Sequence, residues 1–188
     1  THVFRGEEWL ATFPLHGHIY EAFGWEQPEW VHLSVFLKPS GKGKMSKRDT
    51  EVIKRTGKSI FVKDMAEMGY LPEGVINWTA LMGWSYDGST EFFTLEDLVE
   101  KFSIDKLSPK SAAIDFKKFD HFNTLHVRNM SDEELAERLL QYYKEAGLPE
   151  DKDLVLSFIP IIKTRITTMD DAPALTDFFF QDDVETCH

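Results

Sequence analysis

Cysteine is almost absent from this chain, and long apolar runs are absent altogether. Only Cys187 among the 188 residues carries a thiol, so no internal disulfide is possible. No apolar run approaches the roughly 18 residues that a membrane-spanning helix requires, and no signal-peptide pattern is present. The sequence therefore predicts a cytoplasmic protein that is neither secreted nor embedded in a membrane.

Basic charge is scarce overall but locally concentrated. The formal net charge is −11, and 42% of the residues are hydrophobic and 13% aromatic, which suffices to bury a substantial core. This negative net charge argues against a protein that binds nucleic acid over its whole surface. Residues 38–63 nevertheless carry nine lysines and arginines against two acidic residues. Such a patch can bind phosphate, although a solvated face is an equally ordinary reason for it.

The amino-terminal segment has the pattern of an α/β unit. Apolar alternation predicts a strand over residues 2–5 that is already under way at Thr1, so we expect the chain to be a piece of a longer protein. A helix is predicted near residues 16–23. The β-branched and aromatic run over residues 31–37 predicts a buried strand, which Pro39 and two glycines end before a basic loop.

The rest of the chain has helical spacing. Thr94 with Asp97 and Ser131 with Glu134 have the spacing of capping boxes at helix starts. The predicted fold class is therefore mostly α with a small α/β remnant at the amino end. Helices are predicted over residues 59–69, 73–83, 95–102, 132–146, 152–163 and 174–180, with a further short one within residues 108–123.

The basic loop holds the residues best suited to phosphate chemistry. It lacks the Gly-x-x-x-x-Gly-Lys-Ser/Thr spacing of a P-loop, which excludes that motif. Instead, Lys44 and Lys47 lie three residues apart on a glycine-rich segment. Two ammonium groups on such a loop can close over a triphosphate and stabilise the charge that develops in the transition state, by on the order of a few kcal/mol each.

Residues 44–48, Lys-Met-Ser-Lys-Arg, resemble the KMSKS-type signature of class I aminoacyl-tRNA synthetases, in the form typical of the glutamyl and glutaminyl enzymes. The upstream stretch HVFRGEEWLATFPLHGHIYEAFGW and the downstream stretch GYLPEGVINWTALMGW are similar to segments of bacterial-type glutamyl-tRNA synthetases, in the same order. The chain thus resembles that family over nearly its whole length.

This resemblance implies a set of substrate-binding residues, with Lys44 and Lys47 as the catalytic ones. Arg5 corresponds to the arginine that holds the carboxylate of the substrate glutamate, for which a bidentate guanidinium suits better than lysine. A strand-end arginine paired with Glu7 or Glu8 is the ordinary structural alternative. In the family, the backbone of the strand that holds residues 35 and 36 meets the adenine. The implied ATP-binding residues are Glu8, Val35, Phe36, Lys44, Met45, Ser46, Lys47 and Arg48.

Four further residues are expected at the tRNA. Trp9 matches a position near the acceptor end, although core packing would explain it equally well. The segment that follows the signature is longer here than in the family. Its Lys54, Arg55 and Lys58 either reach tRNA phosphates or belong to a solvated insertion.

The second class I signature, His-x-Gly-His, is missing from this sequence. His16-Gly17-His18 is superficially similar but lies where the family has an ordinary helix, and helix histidines are usually on the surface. Two histidines alone also make a poor zinc site, so neither zinc nor a prosthetic group is predicted. We therefore expect this chain by itself to be inactive in adenylate formation.

The function implied by the resemblance is that of a monomeric glutamate–tRNA ligase that uses ATP with Mg²⁺, L-glutamate and tRNA(Glu). Residues 1–49 are expected to end a Rossmann-type class I catalytic domain, residues 50–122 to form a helical stem-contact region, and residues 123–188 to begin a helical anticodon-binding region. A glutaminyl enzyme fits less well because its anticodon region is built of β-barrels. A noncatalytic helical module that binds RNA or a partner stays open.

Overall fold

The computed structural model describes residues 1–46 and 50–180. A small α/β unit is followed by a long helical part, which confirms the predicted fold class. Short 3-10 segments lie at Glu7–Thr12, Ile104–Lys106 and Asp177–Phe180. The strands and helices are β1 (His2–Gly6), β2 (Glu29–Leu33), α1 (Phe13–Phe23), α2 (Thr50–Thr56), α3 (Val62–Glu67), α4 (Pro72–Leu81), α5 (Leu95–Lys101), α6 (Phe116–Asn129), α7 (Asp132–Glu145), α8 (Lys152–Ile162) and α9 (Asp171–Thr176).

The two strands form one parallel sheet. His2 pairs with Glu29, and the register continues to Gly6 opposite Leu33. Parallel neighbours need a crossover, and here it consists of the first 3-10 segment and α1. Gly24 ends α1 in the left-handed conformation, with φ of 64°, and turns the chain back toward β2.

Strand β2 differs from the prediction in both its bounds and its burial. It covers Glu29–Leu33 rather than residues 31–37, and it is at most half-buried. Because β1 ends at Gly6, it offers no partner beyond Leu33. Leu37 instead joins the segment before α6, where its N–H donates to the carbonyl of Ala112 at 2.8 Å and its carbonyl accepts from the N–H of Ile114 at 3.0 Å. The chain therefore leaves the sheet and ties the α/β unit to the helical part.

Helices α4 and α6 cross at close range. Gly74 of α4 is buried, and a Cβ at this position would lie 2.6 Å from Oδ1 of Asn123 in α6. That Oδ1 accepts a hydrogen bond from the N–H of Leu71 at 2.8 Å, while Nδ2 of Asn123 donates to the carbonyl of Thr167 at 2.5 Å. One buried amide thus joins the start of α4, the middle of α6 and the segment before α9.

An aromatic stack lies beside this crossing. The ring of Phe119 stacks on Tyr70 with centroids 4.0 Å apart and on Trp78 at 4.4 Å. All three side chains are buried in a cluster that also contains Met45 and Val52. The signature, through Met45, and the helix that follows it, through Val52, are therefore attached to the helical core by apolar packing.

Helices α7, α8 and α9 form a second apolar core. Leu135, Leu139 and Tyr143 are fully buried on one face of α7, and Leu140 packs partly buried against the same cluster. These side chains recur at helical spacing within the helix predicted over residues 132–146. The hydroxyl of Tyr143 lies 2.7 Å from the hydroxyl of Thr176, which attaches α9 to the core.

The two helix starts predicted from capping boxes are confirmed, whereas α3 begins at Val62 and α9 at Asp171 rather than at residues 59 and 174, and α6 is longer than predicted. Thr94 and Asp97 make both hydrogen bonds of a capping box, and the Ser131 hydroxyl accepts from the N–H of Glu134 at 3.1 Å. Helix α6 starts after the N-cap Asp115 and runs for 14 residues. It passes through the expected boundary between residues 122 and 123. That boundary coincides with no break in secondary structure, and the domain division stays a prediction.

The close crossing of α4 and α6 makes Gly74 a sensitive position. We expect Gly74→Ala to lower the free energy of unfolding by about 1–3 kcal/mol, because the methyl group would clash with Asn123 and its backbone. Gly17→Ala in α1 is the matched control, since its Cβ would meet only Gln27 at 3.7 Å. That change should raise the unfolding free energy by about 0.5–1 kcal/mol, through helix propensity. Urea denaturation measures the unfolding free energy of both variants. Equal changes in the two would contradict a close contact between Gly74 and Asn123.

Candidate active site

An open cavity of about 700 Å³ lies between the α/β unit and the helical part. Its wall on one side comes from the ends of β1 and β2 and the segment after β2, and on the other from α3 and α4. Six residues that the sequence singles out meet in this lining, namely Arg5, Glu8, Val35, Phe36, Lys44 and Met45. The fold therefore brings the implied glutamate-binding and ATP-binding residues to one place.

Arg5 is held in a fixed orientation at the end of β1. Its Nε donates to Nε2 of His32 at 2.9 Å, and the guanidinium lies 4.7 Å from the ring centroid of Trp30 and 5.3 Å from that of Phe13. The Nη2 atom is buried and has no hydrogen-bond partner in the described part of the chain. The alternative pairing with Glu7 or Glu8 is not what the structure shows. A rigid guanidinium with one open donor suits a carboxylate ligand.

His16 belongs to the surroundings of Arg5, which the sequence does not predict. Its Nδ1 lies 3.0 Å from the carbonyl of Thr12 and 3.3 Å from Nη1 of Arg5. His18 instead projects to the surface, where it lies 3.5 Å from Glu21. The interpretation of both histidines as surface residues is therefore correct for His18 and wrong for His16, which is partly buried.

Lys44 and Glu8 face each other across the cavity mouth. Nζ of Lys44 donates to Oε1 of Glu8 at 2.6 Å, and this hydrogen bond is the main reason why the pKa of Glu8 lies below its ordinary value. Both side chains are exposed, at 56% and 45%. Exposed ion pairs contribute little to stability, so an anionic ligand can replace Glu8 as the partner of Lys44 at low cost.

The backbone of the basic loop places Lys44 beside the cavity. Leu37 and Lys44 form an antiparallel bridge, and the N–H of Lys38 donates to the carbonyl of Gly43 at 3.0 Å. Gly43 has φ of 80°, a conformation that side-chain-bearing residues rarely adopt. A tight hairpin therefore returns the chain to the cavity wall, where Lys44 and Met45 join the lining.

Val35 and Phe36 lie in the segment after β2 and not in the strand that the resemblance implies, because β2 ends at Leu33. The carbonyl of Phe36 accepts from the N–H of Met45 at 2.7 Å, whereas Val35 makes no backbone hydrogen bond within the described chain. The polar backbone groups of Val35 are thus available to a ligand in the cavity. Met45 has a buried side chain, so its role in the site is to anchor the loop by packing.

Two signature residues, Lys47 and Arg48, lie outside the described residues. Ser46, the last described residue before them, has an exposed side chain. Their assignment to ATP stays a prediction.

The family model for the catalytic domain of class I tRNA synthetases (E and Q) matches residues 1–121. The chain belongs to this family. It is 43% identical to a glutamate–tRNA ligase of Herpetosiphon aurantiacus and 38% identical to one of Chloroflexus aurantiacus, in each case over 97% of this chain and 36% of the relative. The predicted resemblance to bacterial-type glutamyl-tRNA synthetases is therefore confirmed.

Solved structures of glutamate–tRNA ligases share the fold of this synthetase chain. One from Elizabethkingia meningosepticum, in complex with its amino acid, superposes with a TM-score of 0.84 at 34% identity. Another, from Elizabethkingia anophelis, superposes with a TM-score of 0.81 at 32% identity. Each match covers 95% of this chain and 38% of the other. The chain spans little more than a third of the length of these relatives.

The expected tRNA-binding residues of this synthetase chain fall into three environments. Trp9 is 51% exposed, so it is not a core residue. Lys54 and Arg55 are exposed on α2 and line a separate concavity of about 470 Å³ with Lys38 and Ser40. Lys58 is instead paired with an acidic residue of α6 and is mostly covered. The sequence therefore groups three basic residues that the fold separates.

Trp84 is a cavity residue that the sequence analysis misses. It is 3% exposed, and its Nε1 is the second buried side-chain donor without a partner in the described ranges, besides Nη2 of Arg5. Both residues line the same cavity. Its place in the stretch GYLPEGVINWTALMGW is a signal, but nothing in the sequence distinguishes it from the buried Trp78.

None of the helices within residues 1–46 and 50–180 has the length and apolar character needed to cross a membrane.

The contact between Lys44 and Glu8 predicts a change in the titration of Glu8. We expect Lys44→Met to raise the pKa of Glu8 toward its ordinary value, because the ammonium that stabilises the carboxylate is removed. Carbon NMR of the glutamate side chains as a function of pH measures this shift, with Glu8→Gln to identify the signal. Lys42→Met is the control and should leave the Glu8 pKa unchanged; an equal shift in that variant would contradict the pairing.

Proposed function

We propose that this chain supplies part of the active site of a glutamate–tRNA ligase, which activates glutamate with ATP and transfers it to tRNA(Glu) in translation. The observation that carries the proposal is that Arg5, whose buried Nη2 has no partner among the described residues, lines a cavity that Lys44 also lines. A guanidinium suited to a carboxylate and an ammonium suited to a phosphate thus belong to the lining of one cavity. Protein synthesis also makes the cytoplasm the expected location.

In the proposed reaction, Arg5 binds a carboxylate of glutamate. Its stacking on Trp30 and its hydrogen bond to His32 hold the guanidinium before the substrate arrives, so little side-chain entropy is lost on binding. The fork of the guanidinium can donate two parallel hydrogen bonds, which an ammonium cannot reproduce.

ATP would lie along the segment after β2, with Mg²⁺ as part of the substrate complex. The free N–H and carbonyl of Val35 are the proposed adenine contacts, and Lys44 and Lys47 the proposed phosphate contacts. A carboxylate oxygen of glutamate attacks the α-phosphorus, the bond to the bridging oxygen breaks, and pyrophosphate leaves with the electron pair. The two lysines stabilise the charge that develops on the leaving group.

The second step transfers the glutamyl group to RNA. A hydroxyl of the terminal ribose attacks the glutamyl carbonyl carbon, loses its proton, and AMP leaves. The helical character of α6 to α9 favours the glutamyl over the glutaminyl type, whose anticodon region is built of β-barrels. Adenylate formation by this chain alone is not proposed, because the His-x-Gly-His signature is not in its sequence.

The role of Arg5 can be tested with a non-hydrolysable analogue of glutamyl-adenylate. We expect Arg5→Lys to weaken binding of the analogue at least about tenfold, because lysine keeps the charge but loses the bidentate geometry. Isothermal titration calorimetry of the chain measures the dissociation constant.

Arg165→Lys is the matched control for this experiment, since Arg165 is exposed and far along the chain from the cavity. It should bind the analogue as the unmodified chain does. Equal affinity in the Arg5 and Arg165 variants would refute the assignment of Arg5.

We further propose that the concavity beside α2 contacts the phosphate backbone of tRNA. Lys54 and Arg55 are exposed at its rim, the hydroxyl of Ser40 lies in its lining, and Glu51 is the one acidic residue in its described wall. This local excess of positive charge lies on a chain whose formal net charge is −11. Phosphate contacts of this kind give affinity that is independent of sequence and decreases with salt.

Replacing both rim residues should lower tRNA affinity and its salt dependence together. We expect the Lys54→Ala/Arg55→Ala double variant to reduce the slope of log affinity against log salt by about 1–2, because up to two phosphate contacts are lost. Fluorescence anisotropy with labelled tRNA over a range of salt concentrations gives the slope. Lys117→Ala/Arg165→Ala removes the same formal charge elsewhere; if it changes the slope as much, the concavity has no specific role.

A further inference from the structure

The signature loop (residues 44–48) is connected to the helical core on both sides. At its start, the side chain of Met45 is buried, and after it, the side chain of Val52 in α2 is buried in the same apolar cluster. These two apolar contacts hold Met45 and Val52 in the core. They do not fix the direction of the α2 axis, because apolar packing is not directional. A polar contact at the end of α2 supplies that direction.

Lys58 makes this polar contact two residues after α2. Its Nζ forms an ion pair with Oδ1 of Asp120 in α6 and donates to the hydroxyl of Tyr70 at 2.6 Å. The Tyr70 hydroxyl in turn donates to Oδ1 of Asp120 at 2.6 Å. The side chains of Lys58 and Asp120 are only 25% and 31% exposed, so solvent screens the pair much less than a surface pair.

The tyrosine in this triad is itself rigid. Tyr70 stacks on Phe119 at 4.0 Å with ring planes 12° apart. Burial and the hydrogen bond to Asp120 raise the pKa of Tyr70 well above its ordinary value, so it stays a neutral donor. Lys58 therefore contacts two groups whose positions the α6 core determines.

The last turn of α2 is coupled directly to Lys58. The Thr56 hydroxyl donates to the carbonyl of Val52 at 2.7 Å and accepts from the N–H of Lys58 at 3.2 Å. Gly57, with φ of 67°, closes the helix through its N–H to the carbonyl of Ile53 at 2.7 Å. A displacement of Lys58 would thus move the end of α2.

The surroundings of Lys58 do not favour a phosphate. The concavity that it lines, of about 350 Å³, also contains Asp120, Asp170 and Asp171, with Lys58 as the one basic residue in its described wall. An approaching phosphate would meet three carboxylates, and Lys58 already neutralises one of them. The predicted tRNA contact of Lys58 therefore has less support than those of Lys54 and Arg55.

We propose that Lys58 is a positioning residue, which through Asp120 and Tyr70 fixes α2 and thereby supports ATP binding by the signature that precedes this helix. The effect on α2 follows from the contacts alone, whereas the effect on ATP rests on the proposed function. The experiment has one measurement for each.

Hydrogen–deuterium exchange of the whole chain measures the first effect. In Lys58→Met, which keeps the aliphatic stem, we expect the amides of residues 53–57 to exchange about tenfold faster, because local opening becomes easier. Peptides over residues 135–143 in the second core should exchange as before. Lys58→Arg should restore slow exchange, and Lys63→Met, which removes an exposed pair with Glu67, should have no effect.

The affinity for ATP with Mg²⁺ measures the second effect. Lys58→Met should weaken it at least about fivefold, and Lys58→Arg should restore it, since the loop lysines must be in place to contact the phosphates. Unchanged exchange at residues 53–57, or an equal increase over residues 135–143, would overturn the positioning role. Faster local exchange with unchanged ATP affinity would overturn its connection to the nucleotide site.

The failure of the proposed function would look different. If the unmodified chain binds no ATP, the ATP contacts proposed for this chain fail, while the exchange measurement still decides whether Lys58 positions α2.

Discussion

The close crossing of α4 and α6 is the constraint on which the other features depend. Gly74 leaves no room for a Cβ against Asn123, and the Asn123 amide bonds both Leu71 and Thr167. Because the crossing fixes the rotation of α4, Val75, Trp78 and Thr79 line the cavity. Because it also fixes α6, Asp120 projects toward the end of α2. The cavity wall and the anchor of the signature loop are therefore two consequences of one helix contact.

The basic stretch over residues 38–63 shows that local charge alone does not assign a role. Lys44 pairs with Glu8 in solvent, where exchange for a phosphate costs little. Lys54 and Arg55 project into a concavity with few acids. Lys58 is partly buried against Asp120, and removing its partner would leave a poorly solvated charge. Burial and the sign of the neighbouring groups, rather than the number of lysines, separate the residues suited to a ligand from the one suited to structure.

Features that depend on neighbours in sequence are predicted well, and features that depend on distant residues are not. The capping box of Thr94 and Asp97 spans four residues, so the sequence contains all of it. The end of β2 depends on where β1 ends, 27 residues earlier, and the prediction over residues 31–37 is accordingly wrong. His32 beside Arg5 and Asp120 beside Lys58 are likewise separated by 27 and 62 positions. The resemblance to the synthetase family identifies the candidate site residues, but only the fold shows that six of them share a cavity.

The state of Arg5 is the strongest physical reason to regard this cavity as a ligand site. A buried donor without a partner costs about 1–3 kcal/mol, and folded proteins rarely retain such groups without a compensating role. Here the same guanidinium is satisfied at Nε and stacked on Trp30, so the lack of a partner for Nη2 within residues 1–46 and 50–180 does not result from loose packing. Trp84 lines the same cavity, and its neutral Nε1–H is likewise a buried donor without a partner among the described residues. A ligand with acceptor oxygens would satisfy such donors, and glutamate joined to an adenylate phosphate has acceptors of this kind.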